Sequence, residues 1–169
     1  MTSVNSWTLV LIGTSVLAAA QTVSGQTDTT RATARRFVGC YAVHLGAWNK
    51  PLKGNRPYHT PPDSVVLDSV LVDSPLGGPG FGLAPHIPIL TRYHTVPARW
   101  WPIGSDSARL LWTSGFAGVT MRLAWGDSLL HGRAEAFTDV IPVEVLPDGT
   151  KRRLPWPEAV AELSRVACR

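Results

Sequence analysis

Three consecutive segments between Asp106 and Thr138 alternate apolar and polar residues, and this alternation constrains the fold more than any other feature of the sequence. A period of two is typical of β-strands, because successive side chains point to opposite faces of a sheet. Ser114-Gly115-Phe116-Ala117 separates the first two segments, and a hairpin loop of that length places Thr113 opposite Gly118. The cross-strand pairs that follow are all apolar: Trp112 with Val119, Leu110 with Met121, and Ala108 with Leu123.

The second connection, Gly126-Asp127, has a glycine first, as a two-residue type II′ turn requires. That turn predicts the following pairs: Trp125 with Ser128, Leu123 with Leu130, Met121 with Gly132, and Val119 with Ala134. Both turns give the same inner and outer faces, so we predict a three-stranded antiparallel meander. Its exposed face carries Arg122, His131 and Arg133. Its buried face carries Leu110, Trp112, Val119, Met121, Leu123, Leu130 and Ala134.

The rest of the chain also favours short strands joined by loops. Phe37 to Leu45 alternates, and Asp63 to Val72 is rich in β-branched residues, so both are predicted strands. Between them, Gly46 to Pro62 is predicted to be a loop. Ser74 to Pro88 is predicted to be a long loop because its proline and glycine content argues against a central strand. Ile89 to Val96 is a candidate short strand.

The last segment, Pro157 to Cys168, is predicted to be a helix. A proline stands at its first position, Glu158 lies in its first turn, and three apolar residues share one helical face: Val160, Leu163 and Ala167. The predicted fold class is therefore mainly β. It is an antiparallel meander that forms a small barrel or a strongly curved sheet, with a short C-terminal helix.

The N-terminal segment predicts export. Trp7 to Ala20 is apolar, has the length of a signal-sequence core and is shorter than the ~20 residues of a membrane-spanning helix. Small residues precede two candidate cleavage points, before Gln21 and before Gln26. Because no Lys or Arg precedes Trp7, an uncleaved anchor stays open as an alternative. The predicted division is a signal peptide over 1–25, a flexible leader over 26–36 and one β-rich domain over 37–169, periplasmic or secreted, without stable membrane insertion of the mature chain.

The two cysteines agree with export. Cys40 opens the predicted domain and Cys168 nearly ends it, so only one intramolecular pairing exists. Disulfides form and persist in oxidising compartments outside the cytosol. We therefore predict a bond between Cys40 and Cys168, with two buried free thiols as the alternative.

Gly39-Cys40-Tyr41 in the first strand, Gly46-Ala47-Trp48 just after it and the later meander resemble the lipocalin-like small β-barrels. Those barrels begin with a strand that carries Gly-x-Trp, and a disulfide often ties down one terminus. The resemblance covers Phe37 to about Ile141, and the chain is also similar to small exported bacterial proteins. It implies an interior cavity for one small apolar ligand. The side chains expected to line that cavity are Tyr41, Val43, Leu110, Trp112, Met121, Leu123 and Ala134.

No catalytic or metal-binding constellation is predicted. The five histidines are not spaced as metal ligands, and the sequence has no nucleophile elbow. We therefore predict no catalytic residue, no metal and no cofactor, although a small hydrolase or isomerase with a site built from loops stays an alternative. The net charge of +4 comes mostly from scattered basic residues, so no nucleic-acid partner is predicted.

The tryptophans outside the meander lie in predicted loops or at the ends of elements: Trp48, Trp100, Trp101 and Trp156. Such rings either rim a cavity or plug one end of a core. The first possibility leads to our main functional hypothesis, an exported small β-barrel protein that binds a small apolar ligand. The second leads to the alternative, an envelope structural or interaction module with a solid core whose loops make the contacts.

Overall fold

The structure is a computed structural model that describes residues 30–52, 60–73, 79–87 and 96–168. The predicted signal peptide, the first residues of the predicted leader and nearly all of the candidate strand Ile89 to Val96 lie outside the described residues. No helix within the four described ranges is both long and apolar enough to cross a membrane.

The described residues form a closed antiparallel barrel and a small separate ribbon. The strands are β1 (Gly39–Leu45), β2 (Ser64–Val72), β3 (Gly80–Ala84), β4 (Arg99–Ile103), β5 (Ser107–Thr113), β6 (Ala117–Trp125), β7 (Leu129–Thr138), β8 (Val143–Val145), β9 (Lys151–Arg153) and β10 (Glu158–Val166). Each strand from β1 to β7 pairs with the next, and β10 closes the ring by pairing with β7 and β1. β8 and β9 pair with each other in a two-stranded ribbon. The predicted mainly β fold, with a meander that closes into a barrel, is confirmed.

The β5–β6 hairpin has the predicted register. Thr113 pairs with Gly118 and Leu110 pairs with Met121. The Ser114 N–H donates to the Ala117 carbonyl at 2.9 Å, which leaves Gly115 and Phe116 as the turn residues. Gly115 has a φ of 94°, in the left-handed region that glycine adopts without steric strain.

The predicted β6–β7 register is wrong by two residues. Trp125 pairs with Leu130 instead of Ser128. The Gly126 N–H donates to the Leu129 carbonyl at 2.8 Å, so the turn residues are Asp127 and Ser128. Moving a two-residue turn by one position shifts the register by two, which leaves every side chain on its predicted face. The predicted buried face is accordingly confirmed, and the three residues of the predicted exposed face are exposed.

The predicted C-terminal helix is wrong, because this segment forms β10. Its side chains alternate: Ala159, Ala161 and Leu163 are buried, whereas Val160 and Glu162 are exposed. The sequence satisfies a helical face and a strand alternation equally well, so local pattern does not decide between them. Strand pairing decides that the segment is a strand, because β10 occupies the edges of β1 and β7 that would otherwise lack backbone partners.

The expectation that Ser74 to Pro88 is entirely a loop is also wrong, because it contains β3. Phe81 and Leu83 alternate along this strand and are buried. Glycine suits its outer positions: a Cβ at Gly80 would lie 3.2 Å from the Cβ of Arg99 on the neighbouring strand. Here glycine permits two strands to approach closely, and it does not mark a turn.

Trp100 is a core residue of β4, whereas we expected it in a loop or at the end of an element. It has no accessible surface, and its ring lies 5.1 Å from that of Phe81. Its indole N–H donates to the Asp68 carbonyl at 3.0 Å. Asp68 lies where the β2–β3 register shifts between Leu67 and Leu71. The regular backbone pairing of the two strands is interrupted there, so the Asp68 carbonyl can accept the indole N–H.

The N-terminal part of the described chain is tied to the barrel. Residues 30–34 form a short helix, and Ala34 is buried, although we predicted this segment to belong to a flexible leader. Cys40 and Cys168 are joined, with their Cα atoms 5.3 Å apart. The predicted disulfide pairing is therefore present, and it links β1 to the segment that follows β10.

Candidate functional site at the mouth of the barrel

The barrel has two unlike ends. At the first, the closed end, β1 begins and the β6–β7 turn lies; Phe37 is fully buried there, its ring 5.9 Å from that of Trp125 and 6.0 Å from that of Trp100. Arg36 also donates to the carbonyl of Ser105, in the β4–β5 turn at this end. At the other, the mouth end, four connections emerge: β1–β2, β3–β4, β5–β6 and the one that carries the ribbon.

Arg165 fastens the closed end. Its Nη2 donates to the carbonyls of Arg36 and Val38 at 3.1 and 3.0 Å and to the Tyr41 hydroxyl at 3.1 Å. Its guanidinium lies 5.6 Å from the ring centre of Tyr41 and 5.8 Å from that of Trp125. The Tyr41 hydroxyl in turn donates to the Phe37 carbonyl at 2.7 Å. One side chain thus joins the last barrel strand to the segment that enters the first.

Sequence reasoning missed Arg165 because it assigned this segment to a helix. The signal was present in the strand alternative, since Arg165 follows the buried residues Ala159, Ala161 and Leu163 at the same interval of two and therefore faces the same side, although it is itself exposed. An arginine at the inner-facing end of an alternating series indicates a polar closure of the core.

The predicted ligand-lining residues fall in one place, and most of them are completely packed. Six belong to a single buried cluster, and four of these six have no accessible surface: Tyr41, Leu110, Met121 and Ala134. Trp112 and Leu123 keep 1% and 2% of their accessible surface. A side chain without accessible surface adjoins no space that a water molecule could occupy. The structure therefore brings these residues together as a solid core.

The seventh predicted lining residue, Val43, differs from the other six. It is only half-buried, as is Leu45 two residues further along the same inner face of β1. Trp48, in the connection that follows, is also half-buried and packs against the core. These three side chains lie where β1 reaches the mouth end, so among the described residues the inner face of β1 becomes partly accessible at the rim.

Trp112 and Ile87 close the core beneath this rim. The Trp112 indole N–H donates to the Pro85 carbonyl at 3.1 Å, and Ile87 belongs to the same buried cluster. His86 accepts a hydrogen bond from the Ala98 N–H at its Nδ1, 3.1 Å away. The segment that leaves β3 therefore packs onto the core, and His86 serves to hold it there.

Among the described residues, five of the eleven exposed large apolar side chains lie at the mouth end. Phe116 lies at the tip of the β5–β6 turn, and four more belong to the connection between β7 and β10: Val140, Ile141, Val143 and Val145. An open depression of about 630 Å³ lies at the same end, lined by Trp48, Asn49, Lys50, Pro51 and Leu52. Val143 and Val145 lie two residues apart on the same face of β8, and adjoining exposed apolar side chains are typical of interaction sites.

The ribbon combines apolar and basic side chains on one face. Val143 pairs with Arg153 and Val145 pairs with Lys151, and all four residues are exposed. On the other face Arg152 forms an ion pair with Glu144. Within the described part of the chain, β8 and β9 pair only with each other, so each keeps one edge open.

The ribbon, which we did not predict, nevertheless has a signal in the sequence. Pro147-Asp148-Gly149 is a turn motif that follows the alternating Val143-Glu144-Val145, and Gly149 adopts a φ of 82°. The Asp148 carboxylate accepts hydrogen bonds from the side chain and backbone of Thr150 at 2.6 and 2.9 Å. These bonds lower the pKa of Asp148, which keeps the carboxylate charged and the turn ordered.

Among the described residues, no group of three or more His, Cys, Asp or Glu side chains is arranged to hold a metal ion. No family model, no curated protein and no solved structure matches the chain.

Proposed function

We propose that the protein is an exported interaction module: a solid β-barrel whose mouth end binds another protein. The observation that supports this most is the packed interior. Tyr41, Leu110 and Met121 have no accessible surface, so a ligand at the centre of the barrel would have to displace core side chains. Small residues such as Ala134 and Ala136 on β7 are equally enclosed, which means that bulky neighbours fill the space beside them.

The surface at the mouth end supplies the binding half of the proposal. A closed barrel has no free strand edge, so its wall cannot accept a partner strand. The ribbon can, because among the described residues both β8 and β9 keep an open edge and the valines of β8 are exposed. Strand addition gives affinity through main-chain hydrogen bonds and specificity through alternate side chains. Val143 and Val145 are the side chains we expect a partner to cover.

Export is the third part of the proposal. The disulfide between Cys40 and Cys168 supports it, because such bonds persist mainly outside the reducing cytosol. The lipocalin-like relationship is likewise proposed, and the strand order, in which each barrel strand pairs with its neighbour in the chain, supports it. As a relative of those barrels, the chain would have core side chains in the place of their ligand cavity.

Site-specific photocrosslinking in the cells that make the protein tests this proposal. A photoreactive residue replaces Val145, which is 63% exposed, and in a control it replaces Val70 on β2, which is 60% exposed. We expect one discrete crosslinked protein from position 145 and none from position 70. The same product from both positions, or none from position 145, would count against a binding surface at the mouth end.

A small apolar ligand held at the rim is the second candidate function. Val43 and Leu45 favour it, because their inner-facing side chains pack against the core and are still only half-buried. The apolar fluorescent probe N-phenyl-1-naphthylamine tests it by titration of the full chain. This candidate requires saturable one-to-one binding that Val43→Arg abolishes, whereas a purely interacting module gives no saturable signal in either protein.

A further inference from the structure

Four outward-facing residues form a row across the side wall of the barrel. Trp101 pairs with Arg109, Arg109 pairs with Arg122, and Arg122 pairs with Arg133. Directly paired residues on neighbouring strands lie about 4.5 to 5.5 Å apart at their Cα atoms. The row therefore spans four strands, β4 to β7, and sets three arginines side by side. We call it the arginine row.

Like charges placed directly opposite each other destabilise a sheet. Burial lowers the pKa of Arg109, and the nearby charge of Arg122 lowers it further, which is the expected sign of such repulsion. The Glu135 carboxylate opposes this effect on Arg109. The free protein therefore holds more positive charge in this row than its neighbours neutralise.

The side chains of Arg109 and Arg133, on either side of Arg122, have bonding partners, whereas the side chain of Arg122 has none among the described residues. Arg133 forms an ion pair with Glu158 at 2.8 Å. Arg109 donates to the Thr120 hydroxyl at 3.0 Å, and its guanidinium lies 5.4 Å from the ring centre of Trp101. Among the described residues, the Arg122 side chain forms no hydrogen bond or ion pair, and it is exposed. The row thus holds Arg109 in place beside an arginine whose donors face solvent.

We propose that the arginine row binds an acidic segment of a protein partner, with Arg122 and Arg109 donating to its carboxylates. The guanidinium of an arginine matches a carboxylate with two parallel hydrogen bonds. A carboxylate between these two arginines would replace repulsion with two attractive contacts. This surface is separate from the mouth end, so the inference goes beyond the proposed function.

The composition of the row favours a protein over another polyanion. Tryptophan and arginine are the residues most enriched at the energetic centres of protein interfaces. The Trp101 ring has a guanidinium near it from each of two neighbours, Arg99 at 5.9 Å and Arg109 at 5.4 Å. It therefore fixes the arginines in place, and bases or sugars are not expected to stack freely on it.

Fluorescence anisotropy of a labelled octaglutamate peptide, titrated with the disulfide-bonded full chain at low salt, tests the proposal. We expect Arg122→Gln to weaken binding roughly ten-fold or more, as the loss of a hydrogen bond to a charged group predicts. Arg35→Gln is the matched control, since it removes the same charge from an exposed residue of the segment before β1, outside the row. We expect it to change binding by less than about two-fold.

Equal weakening by both substitutions would overturn the proposal, because it would show only a general effect of net charge. Competition with heparin and with vesicles of anionic lipid provides two further arms. Binding of either at lower concentration than the peptide would assign the row to a polysaccharide or a membrane and would also overturn the proposal.

A measurement without a ligand provides an independent check. Because Arg122 lies between two like charges, Arg122→Gln should raise the urea midpoint of the free protein at low salt, and the gain should shrink as salt screens the repulsion. A lower midpoint for Arg122→Gln than for the original chain would contradict the repulsion on which the proposal depends.

Discussion

The substitution Leu110→Ala measures how solid the barrel is. Leu110 has no accessible surface, and its cross-strand partners, Trp100 and Met121, have none either. Removing three buried carbons costs about 0.8 kcal/mol each, and the void left behind adds to that cost. Met121 is flexible and fills part of the void, whereas the hydrogen bond from Trp100 to the Asp68 carbonyl holds that ring in place. We expect a loss of about 3 to 4 kcal/mol in the free energy of unfolding.

Leu111→Ala is the matched control, because the same side chain one residue later faces outward and is only half-buried. We expect it to cost about 1 kcal/mol. Urea unfolding followed by tryptophan fluorescence gives both values, with an unchanged dependence on urea concentration as the check that two-state unfolding persists. A cost below about 2 kcal/mol for Leu110→Ala, or equal costs at the two positions, would refute a fully packed interior.

Three further predictions concern stability. Replacing both Cys40 and Cys168 with serine should lower the free energy of unfolding by up to about 5 kcal/mol in the chain-entropy model for a separation of 128 residues. In the original chain, free-thiol titration of the unreduced, unfolded protein should find no thiol. Arg165→Ala should cost about 2 to 3 kcal/mol in a urea melt, and Arg165→Lys should recover little of it, because an ammonium cannot also stack on Tyr41 as a planar guanidinium does. Gly132→Ala should cost at least about 2 kcal/mol, because its Cβ would overlap the carbonyl oxygen of Arg122, and unchanged thermal unfolding would contradict the observed β6–β7 register.

The meander was predictable because side-chain alternation and turn length act locally. Thr113 and Gly118 pair as expected, since the loop between them allows few alternatives. At the next turn, Gly126 could serve as the first turn residue or as the last residue of the ladder, and the pattern of faces is the same for both. The period of two determines which side is buried, but it does not determine register to within two residues.

The nature of β3 and β10 was not predictable in the same way. Both are strands because their neighbours need backbone partners, and that requirement depends on the whole barrel. Local sequence even opposed these assignments: β3 carries Gly80 and Gly82, and the residues of β10 also form an apolar helical face. The candidate site followed the same division: the buried face of the meander was predicted correctly, whereas its packing against Trp100 was not, because we had expected Trp100 in a loop or at the end of an element.

Native mass spectrometry of the protein purified from the cells that make it tests the central claim, a barrel without an interior ligand, most directly. We expect the measured mass to be that of the disulfide-bonded chain alone, with no small molecule bound, because Tyr41, Leu110 and Met121 leave no space beside them for a ligand. A stoichiometric apolar molecule that stays bound under native conditions and is released on unfolding would contradict it.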